Sequence, residues 1–282
     1  MLVDKPVGVT SHDVVARVRR LFGTRDVGHT GTLDPFATGL LVLVLGRATR
    51  LARFIEAGLK TYLADARLGV RTTTDDLTGT VVDEPAGPPA EWPAQGAVAE
   101  ALEALTGRVK QRPPAFSAKK IGGRRSYELA RSGTLLELEA VDVLIESVAL
   151  LEYAPPRLRF RAEVGPGTYI RALVRDLGDG LGLGAHCTGL RRERVGSLRI
   201  DDAVPLAALT GGEPLIAPAD LVGMLPRVRL DAAEVSAVRH GRAIGTAGAG
   251  AGRAALVEGD ELIAIAESRS GRWQPTVVLS QA

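Results

Sequence analysis

The stretch from residue 28 to residue 39 has the least ordinary composition in this chain. It reads Gly28-His29-Thr30-Gly31-Thr32-Leu33-Asp34-Pro35-Phe36-Ala37-Thr38-Gly39. Its three glycines let the backbone approach a ligand closely or adopt positive φ angles, and Pro35 moves Asp34 out of the α region into an extended conformation. A loop of this kind can present the carboxylate of Asp34 at its tip. The alternative is an ordinary Asp-Pro turn, in which Asp34 only accepts hydrogen bonds from the backbone.

Hydrophobic patterns on both sides of this loop predict the surrounding elements. Upstream, Thr10 and Asp13 have the spacing of a capping box and begin a helix predicted over residues 11–22. Downstream, residues 40–45 form a short unbroken apolar run, which is typical of a strand buried on both faces. Apolar alternation and helical apolar spacing predict four more elements: strands at 61–68 and 158–164, and helices at 97–106 and 170–177.

The mixture of several strands with few helices favours an α+β fold for a catalytic domain that we place at residues 1–222. Pro214 and Pro218 mark a change in composition near its end. The residues beyond this change predict a second, small all-β unit at residues 223–282. Its predicted strands are 225–230, 254–257, 262–265 and 276–279.

The composition limits the class of protein. The chain has 282 residues, of which 45% are hydrophobic and 24% charged, as in a core-forming globular protein. Its longest apolar run is much shorter than the ~20 residues of a transmembrane helix. The first residues do not resemble a signal peptide, so we expect a cytoplasmic protein without membrane segments. Cys187 is the only cysteine and there are four histidines, so an internal disulfide is excluded and a metal site is not expected.

Charge is unevenly distributed, although the formal net charge is only +2. Residues 81–105 contain five acids and no Lys or Arg, whereas residues 108–131 contain eight bases and a single acid, Glu128. The second segment also contains Phe116 and Tyr127, and prolines and glycines interrupt it, which predicts an extended basic loop. Such a loop suits RNA, because neutralised phosphates release counterions and aromatic rings stack on unpaired bases. A solvated charged loop is the alternative.

Residues 28–39 resemble the active-site motif of the TruB-type pseudouridine synthases, the family of the bacterial tRNA pseudouridine 55 synthase. Other stretches resemble further motifs of that family, in the family's order along the chain. They are Asp4-Lys5-Pro6-Val7-Gly8-Val9-Thr10-Ser11 (N-terminal motif), Lys60-Thr61-Tyr62 (tyrosine motif), Thr74-Asp75-Asp76-Leu77-Thr78-Gly79 (a further signature), Pro113-Pro114-Ala115-Phe116-Ser117-Ala118-Lys119-Lys120 (inserted RNA-binding segment), Gly167-Thr168-Tyr169-Ile170-Arg171 (arginine motif) and residues 185–192, ending Leu190-Arg191-Arg192 (leucine motif).

The resemblance implies a fold and its RNA-binding parts. The fold is the pseudouridine-synthase fold, a mixed, mainly antiparallel sheet with flanking helices, followed by a small C-terminal PUA-like β-barrel. The catalytic domain carries an RNA-binding insertion at about residues 108–131, and Lys5 and Pro6 belong to the loop architecture under the site. No cofactor and no metal is implied. The insertion residues expected to bind RNA are Lys119, Lys120 and Arg124.

The reaction implied by the resemblance is the isomerisation of a uridine already in RNA. The N1–C1′ glycosidic bond is broken, the base turns, and C5 is joined to C1′. Asp34 would be the nucleophile, attacking either C6 of the base or C1′ of the sugar, and Arg171 would pair with it and hold it ionised. The base must first be flipped out of the RNA. Tyr62 would pack on it and take the C5 proton, although its position in an alternating strand equally fits a core tyrosine.

The remaining candidate residues belong to substrate binding. Tyr169 and Leu190 would form the wall around the base, although Leu190 could equally be a core residue. His29 is expected to contact the everted RNA loop, with a structural histidine as the alternative. Asp76 is expected to be a scaffold of the site. A second basic cluster, expected to reach phosphates near the pocket mouth, consists of Arg191, Arg192, Arg194 and Arg199.

The leading functional hypothesis is an enzyme that converts uridine 55 in the T-loop of tRNA to pseudouridine. It would bind the T-arm without an obligatory protein partner, because Phe36-Ala37-Thr38-Gly39 resembles the stand-alone bacterial version, and a monomer is the default. A tRNA-binding folding chaperone with incidental or no modification activity is the hypothesis from another class. A carboxylate-based nucleosidase or hydrolase fits less well, because no second catalytic carboxylate lies in a matched motif.

Overall fold

A computed structural model describes residues 1–83, 89, 91–116, 120–121, 124–125, 138–245 and 252–279, with the backbone alone for residues 83, 120–121 and 124–125. The helices in these ranges are α1 (Ser11–Leu21), α2 (Ala52–Glu56), α3 (Gln95–Glu103), α4 (Ile170–Gly180), α5 (Pro218–Leu221) and α6 (Ala232–Arg239). Short 3-10 turns cover Gly46–Leu51, Ile200–Asp202 and Leu206–Ala208. Not one helix in the described part of the chain has the length and apolar character needed to cross a membrane.

Strands make up the larger part of the regular structure. Those in the described ranges are β1 (Leu2–Lys5), β2 (Val27–His29), β3 (Thr38–Leu45), β4 (Lys60–Leu68), β5 (Arg71–Thr72), β6 (Val81–Asp83), β7 (Gly107–Gln111), β8 (Lys120–Ile121), β9 (Arg124–Arg125), β10 (Val141–Ala154), β11 (Arg157–Val164), β12 (Ala185–Val195), β13 (Leu198–Arg199), β14 (Val204–Pro205), β15 (Arg227–Arg229), β16 (Ile244–Gly245), β17 (Arg253–Glu258), β18 (Glu261–Arg269) and β19 (Arg272–Val278).

Ten of these strands form the central sheet. Its path is β14-β1-β3-β12-β4-β11-β10-β7, with β2 added beside β3 and β13 beside β12. The pairs β1–β14 and β3–β12 are parallel, and the other pairs are antiparallel. The predicted mixed, mainly antiparallel sheet is therefore confirmed.

Strand β3 is apolar because both of its faces are covered. Leu41 and Leu43 lie in the core that the sheet shares with α1 and α4. Leu40, Val42 and Val44 lie in a second core on the opposite face. The prediction of a strand buried on both faces is confirmed, and its double burial explains the unbroken apolar run.

The second core joins the central sheet to a five-stranded sheet of order β15-β17-β18-β19-β16. This sheet is curled into a half-barrel, which is consistent with the expected PUA-like unit. Ile265 packs in the same apolar cluster as Leu40 of the central sheet. In addition, the guanidinium of Arg47 donates to the carbonyl oxygen of Leu279 over 3.2 Å. The division of the chain between residues 222 and 223 remains a prediction.

Elements with strong local signals lie close to their predicted positions. Helix α1 begins where the capping box predicted, since Thr10 accepts from the backbone N–H of Asp13 and Asp13 accepts from that of Thr10. The predicted strands at 61–68 and 158–164 correspond to β4 and β11, and the predicted helices at 97–106 and 170–177 correspond to α3 and α4.

Other parts of the fold correct the predictions. The segment 108–131 does not begin as a loop, because its first residues form β7, the edge strand that pairs with β10. Within it β8 and β9 pair with each other, and much of the rest lies outside the described residues. The C-terminal unit is not all-β, because α6 lies between β15 and β16. Strands β10 and β12 were not predicted.

Candidate active site

The loop that carries Asp34 runs from β2 to β3 and is fixed by the start of α1. The backbone N–H of Leu33 donates to Ser11 Oγ over 2.9 Å, and the Ser11 hydroxyl donates to the Leu33 carbonyl over 3.2 Å. On the other side of Asp34, the N–H of Gly8 donates to the carbonyl of Pro35 over 2.8 Å. Bonds on both sides therefore hold the backbone of Asp34 in place.

The end of the same loop is held by β12. Gly39 has a φ of +102°, and a Cβ atom there would lie 2.7 Å from the backbone nitrogen of Arg192 and even closer to its carbonyl oxygen. The Arg192 side chain, which is 1% exposed, donates from Nε to the carbonyl of Leu40 and from Nη2 to that of Gly31, over 2.7 and 3.0 Å. Arg192 therefore supports the loop and lines the cavity beside it, and with 1% of the residue exposed it is not placed to reach phosphates as predicted.

Arg171 binds the carboxylate of Asp34 at two points. Nε lies 3.0 Å from Asp34 Oδ2, and Nη2 donates to Oδ1 over 3.2 Å. The side chain of Arg171 is only 4% exposed, whereas that of Asp34 is 34% exposed. A two-point contact of this kind fixes the orientation of the carboxylate as well as its charge, and it leaves part of that carboxylate accessible.

The rest of the Arg171 guanidinium binds two other segments. Nη1 donates to the carbonyl of Thr74 over 2.8 Å and lies 3.1 Å from Asp76 Oδ2, and Nη2 donates to the carbonyl of Phe116 over 2.9 Å. The other oxygen of Asp76 accepts from the hydroxyl of Thr74 over 2.7 Å and from the N–H of Thr78 over 2.9 Å. Asp76 therefore acts on the site through Arg171.

The ionisation of Asp34 reflects opposing effects. Burial raises the pKa of the Asp34 carboxyl, the charge of Arg171 opposes that rise, and the charge of Asp76 adds to it. The net shift of the pKa is upward. Arg171 thus limits the penalty of burial and favours the carboxylate, which is the form that a nucleophile requires.

Asp34 faces a cavity of about 340 Å³, which is within the size range of small-molecule sites. Tyr62 from β4, Leu190 from β12 and Tyr169 from the start of α4 line it together with Asp34 and Arg171. Tyr62 and Leu190 are also members of the main apolar core, with 9% of each residue exposed. The structure thus brings five of the predicted site residues together around one cavity.

The cavity is also lined by residues that were not predicted as site residues, among them the charged side chains of Lys60 and Glu56. Lys60 donates to the carbonyl oxygens of Gly58, over 2.7 Å, and Glu56. Burial lowers the pKa of Lys60 to about 8, and the charge of Arg192 acts in the same direction. Lys60 is the first residue of the tyrosine motif that contains Tyr62. Its place in that motif is the sequence signal that could have identified it as a site residue.

Several other predicted residues do not line the cavity. His29, at the end of β2, is not among its lining residues. Arg191 lies on β12 between two residues that do line it, and its own guanidinium pairs with Asp4 over 2.8 Å, with 38% of its side chain exposed. Outside the described residues lie Lys119 and the side chains of Lys120 and Arg124.

Other groups with potential chemistry are structural. Burial raises the pKa of the Cys187 thiol to about 12, so the nucleophilic thiolate is not populated near neutral pH. His186 Nδ1 lies 2.9 Å from the carbonyl oxygen of Val70. Across the ranges that the structure describes, no three His, Cys, Asp or Glu side chains are grouped so that they could hold a metal ion.

The overall fold is shared with solved structures. The chain is similar to one from a Cbf5-Nop10-Gar1 complex, with a TM-score of 0.77, 25% sequence identity and coverage of 99% of this chain and 84% of that chain. It is also similar to a chain of an H/ACA RNP bound to a substrate RNA containing 2′-deoxyuridine, with a TM-score of 0.75, 24% identity and the same coverage. The fold is that of the Cbf5/TruB-type pseudouridine synthases.

Sequence comparison defines the family. The pattern of the TruB family pseudouridylate synthase (N terminal domain) matches residues 19–170. The chain is 44% identical over 288 residues to the tRNA pseudouridine synthase B of Mycobacterium sp. (strain KMS), covering 100% of this chain and 96% of the relative. It is 43% identical over 289 residues to the protein of that name from Thermobifida fusca (strain YX), covering 99% and 98%. The chain belongs to the TruB family of pseudouridylate synthases, as its motifs predicted.

Proposed function

We propose that this chain isomerises a uridine of tRNA to pseudouridine. The observation that carries the proposal is the two-point pairing of Asp34 with Arg171 at a cavity lined by Tyr62, in a chain of the TruB family. The relatives that share its whole length are named tRNA pseudouridine synthase B. A half-buried carboxylate beside a cavity of about 340 Å³ supports the same chemistry.

Asp34 is the nucleophile in this proposal. Its carboxylate attacks C6 of the base or C1′ of the ribose, the N1–C1′ bond breaks, and the base turns within the cavity until C5 bonds to C1′. The bond to Asp34 then breaks, which regenerates the carboxylate. The phenolic oxygen of Tyr62 takes the C5 proton as its own proton passes to solvent, and N1 gains a proton, so one proton is lost and one is gained. The product is an isomer of the substrate, so the reaction needs no second substrate. Arg171 keeps the free carboxylate oriented and charged for the attack.

The target base must leave the RNA stack before it can reach Asp34. Extrusion loses stacking energy, which apolar and aromatic surfaces in an enzyme replace. Here Tyr62, Tyr169 and Leu190 provide those surfaces. In this proposal the cavity receives the flipped base, and Asp34, which lines it, is then beside the reacting atoms.

We further infer that the target is uridine 55 of the T-loop and that the enzyme acts in the cytoplasm as a monomer without an obligatory protein partner. The resemblance of Phe36-Ala37-Thr38-Gly39 to stand-alone bacterial enzymes supports independence from partners. The eight bases of residues 108–131 and the curled C-terminal sheet support two RNA contacts beyond the cavity, with the T-loop and with a stem. The unit at residues 223–282 would be an RNA-binding domain.

Tritium release tests this proposal directly, because isomerisation frees the hydrogen on C5 of the target uridine. An unmodified tRNA transcript labelled at C5 of uridine would be incubated with wild type, Asp34→Asn and Asp26→Asn. Asp26 is an exposed carboxylate just before β2, so it controls for the loss of one charge near the loop. We expect release by wild type and Asp26→Asn, and none by Asp34→Asn or with cytidine at position 55.

The same assay separates the enzyme from an RNA chaperone. Tight binding of the transcript by wild type without tritium release would overturn the proposal and favour the chaperone. Release that persists with cytidine at position 55 would keep the isomerase and contradict the choice of target. Free uracil in the supernatant would indicate a hydrolase.

A further inference from the structure

The basic insertion leaves the central sheet at the end of β7, next to the active site. Residues 111–116, from the last residue of β7 onward, are described by the structure, and we call them the insertion root. The insertion root is attached to helix α4 at three successive places, and α4 carries Arg171. Two of the three attachments use side chains that no part of the proposed reaction has yet employed.

Gln111 makes the first attachment. It is 1% exposed, and its side-chain amide bonds the backbone of Tyr169 in both directions. Gln111 Nε2 donates to the carbonyl of Tyr169 over 3.1 Å, and the N–H of Tyr169 donates to Gln111 Oε1 over 2.8 Å. A buried amide that bonds both backbone groups of one residue fixes that residue firmly. Tyr169 immediately precedes α4 and forms part of the cavity wall.

Arg175 makes the second attachment. Its Nη2 donates to the carbonyl of Arg112 over 2.8 Å, and its Nη1 donates to Asp75 Oδ2 over 2.9 Å. Asp176 accepts from Nε and Nη2 over 3.1 and 2.9 Å. The side chains of Arg175 and Asp75 are largely buried, with 20% and 17% exposed. Arg175 therefore holds together the insertion root, α4 and the turn that contains Asp75.

Arg171 makes the third attachment, one helical turn before Arg175. It repeats the pattern of Arg175, since it binds the carbonyl of Phe116 in the insertion root and the carbonyl of Thr74 in the neighbouring turn. Asp75, between Thr74 and Asp76, has a φ of +59°, a left-handed conformation that aspartate adopts at modest cost. The ion pair with Arg175 keeps this turn in the conformation that presents Asp76 to Arg171.

We propose that Gln111 and Arg175 are positioning residues of the isomerisation: they hold the insertion root and the turn at residues 74–76 against α4, so that the guanidinium of Arg171 stays aligned with Asp34. This inference rests on the proposed function. It assigns the insertion root a part in the chemistry in addition to the expected role of the insertion in binding RNA.

The consequence appears in the ionisation of the nucleophile. The charged groups that face Asp34 are Arg171 of α4, Asp76 of the adjoining turn and Lys5 of β1. If Arg171 is less well aligned, its opposition to the effect of burial weakens, and the pKa of Asp34 rises further. The carboxylate is then protonated at a higher pH, so the acid limb of the rate profile moves to higher pH.

The test measures single-turnover tritium release from C5-labelled tRNA, with enzyme in saturating excess, as a function of pH. The variants are Arg175→Ala, Arg175→Lys and Gln111→Met, which keeps the side-chain length but makes no hydrogen bonds. The matched control is Arg71→Ala, because Arg71 pairs with Asp179 at the other end of α4 over 2.7 Å, with 39% of its side chain exposed. Affinity for tRNA and circular dichroism are recorded in parallel.

We expect Arg175→Ala and Gln111→Met to lower the single-turnover rate by about 10- to 100-fold, as for a small misplacement of a catalytic group. Their acid limbs should move to higher pH, while tRNA affinity changes little. Arg175→Lys should recover part of the rate, because it keeps the charge opposite Asp75 but cannot also reach the carbonyl of Arg112. Arg71→Ala should match wild type.

Two results would overturn the positioning role. In the first, Gln111→Met and Arg175→Lys show the wild-type single-turnover rate per folded enzyme and the wild-type acid limb, even if their melting temperatures fall. The other is a loss of tRNA affinity alone, with a normal single-turnover rate, which would assign the insertion root to RNA binding only. No release by wild type would instead overturn the proposed function, so the two failures are distinguishable. If Arg175→Ala does not fold, the two conservative variants carry the test.

Discussion

At the scale of single residues, the proposed isomerisation depends on how many groups the guanidinium of Arg171 binds at once. Arg171 contacts Asp34, Asp76 and the backbone carbonyls of Thr74 and Phe116. A lysine offers one nitrogen in place of three, so it cannot serve all of these partners. We expect Arg171→Lys to lower the single-turnover rate of isomerisation by about 100-fold or more, the scale of losing one preorganised charge-stabilising donor. Tritium release at saturating enzyme measures this rate.

The control for that prediction is the same substitution at a half-exposed ion pair. Arg159 on β11 pairs with Asp65 over 2.7 Å, with 40% and 39% of the two side chains exposed. Such pairs contribute little, so Arg159→Lys should leave the rate unchanged. Equal losses in both variants would contradict the special role of Arg171, because they would show a general intolerance of lysine for arginine.

The pH dependence of the wild type provides a second prediction at the residue scale. Because burial raises the pKa of Asp34 despite the opposing charge of Arg171, the carboxylate is protonated at a pH above the ordinary aspartate value of 3.8. The rate should therefore fall as the pH decreases through that raised pKa, while tRNA binding and circular dichroism stay constant. An acid limb at or below the ordinary value, measured by single-turnover release, would contradict it.

The residues of the site were predictable where a motif contains them, but their contacts were not. Asp34 and Arg171 are 137 positions apart, and no local pattern encodes that pairing. Arg191 and Arg192 look alike in the sequence, yet one pairs with Asp4 at the surface and the other is buried. Recognising β12 as a strand would have separated them, since neighbouring side chains of a strand point to opposite faces.

Among the secondary-structure elements, the junction between the aspartate loop and β3 restricts the residue type most strongly. Gly39 has a left-handed φ, and a Cβ there would clash with the backbone of Arg192. We expect Gly39→Ala to lower the free energy of unfolding by about 3 kcal/mol or more, from strain and displaced backbone together. It should also slow isomerisation, because relief of the clash displaces the loop that holds Asp34. Denaturant unfolding and tritium release measure the two effects.

Gly46, at the opposite end of β3, is the matched control. Its φ is +53°, but a Cβ there would meet nothing within 4 Å. Gly46→Ala should cost only about 1 to 2 kcal/mol, the conformational penalty by itself, and the rate of isomerisation should not change. Similar losses at both glycines would mean that φ alone matters and that contact with Arg192 does not.

Elements were predictable in proportion to how local their signals are. Helix α1 has a capping box and an apolar stripe within its own residues, so its start was found. Strand β10 is irregular, because its pairing with β11 shifts register at Ile145/Ser147 and again at Leu150/Glu152, and each shift breaks the alternation that identifies a strand. Helix α6 has a capping box at Asp231 and Glu234, a local signal from which the start of this helix is predictable.

At the scale of the whole molecule, the shared apolar core predicts that the two sheets unfold together. Leu40 and Val42 of the central sheet lie in one cluster with Ile265 and Leu279 of the C-terminal unit, and separating the sheets would expose both sides. The chain has two tryptophans. Trp92 packs on the main core, and Trp273 lies in the core of the C-terminal sheet. The variants Trp92→Phe and Trp273→Phe each retain one tryptophan, whose fluorescence reports unfolding. We expect the denaturant midpoints of the two variants to coincide.

Two isoleucines of β18 provide a stricter test of this prediction, because both are fully buried but in different cores. Ile265 lies in the shared cluster and Ile263 in the cluster internal to the C-terminal unit. Each alanine substitution should cost about 2 to 5 kcal/mol. In one cooperative unit, Ile263→Ala must lower the Trp92 midpoint as much as it lowers the Trp273 midpoint, although Ile263 does not lie in the shared cluster. If only the Trp273 midpoint moved, the C-terminal unit would be an independently folding domain, and β3 would keep its structure without that cover.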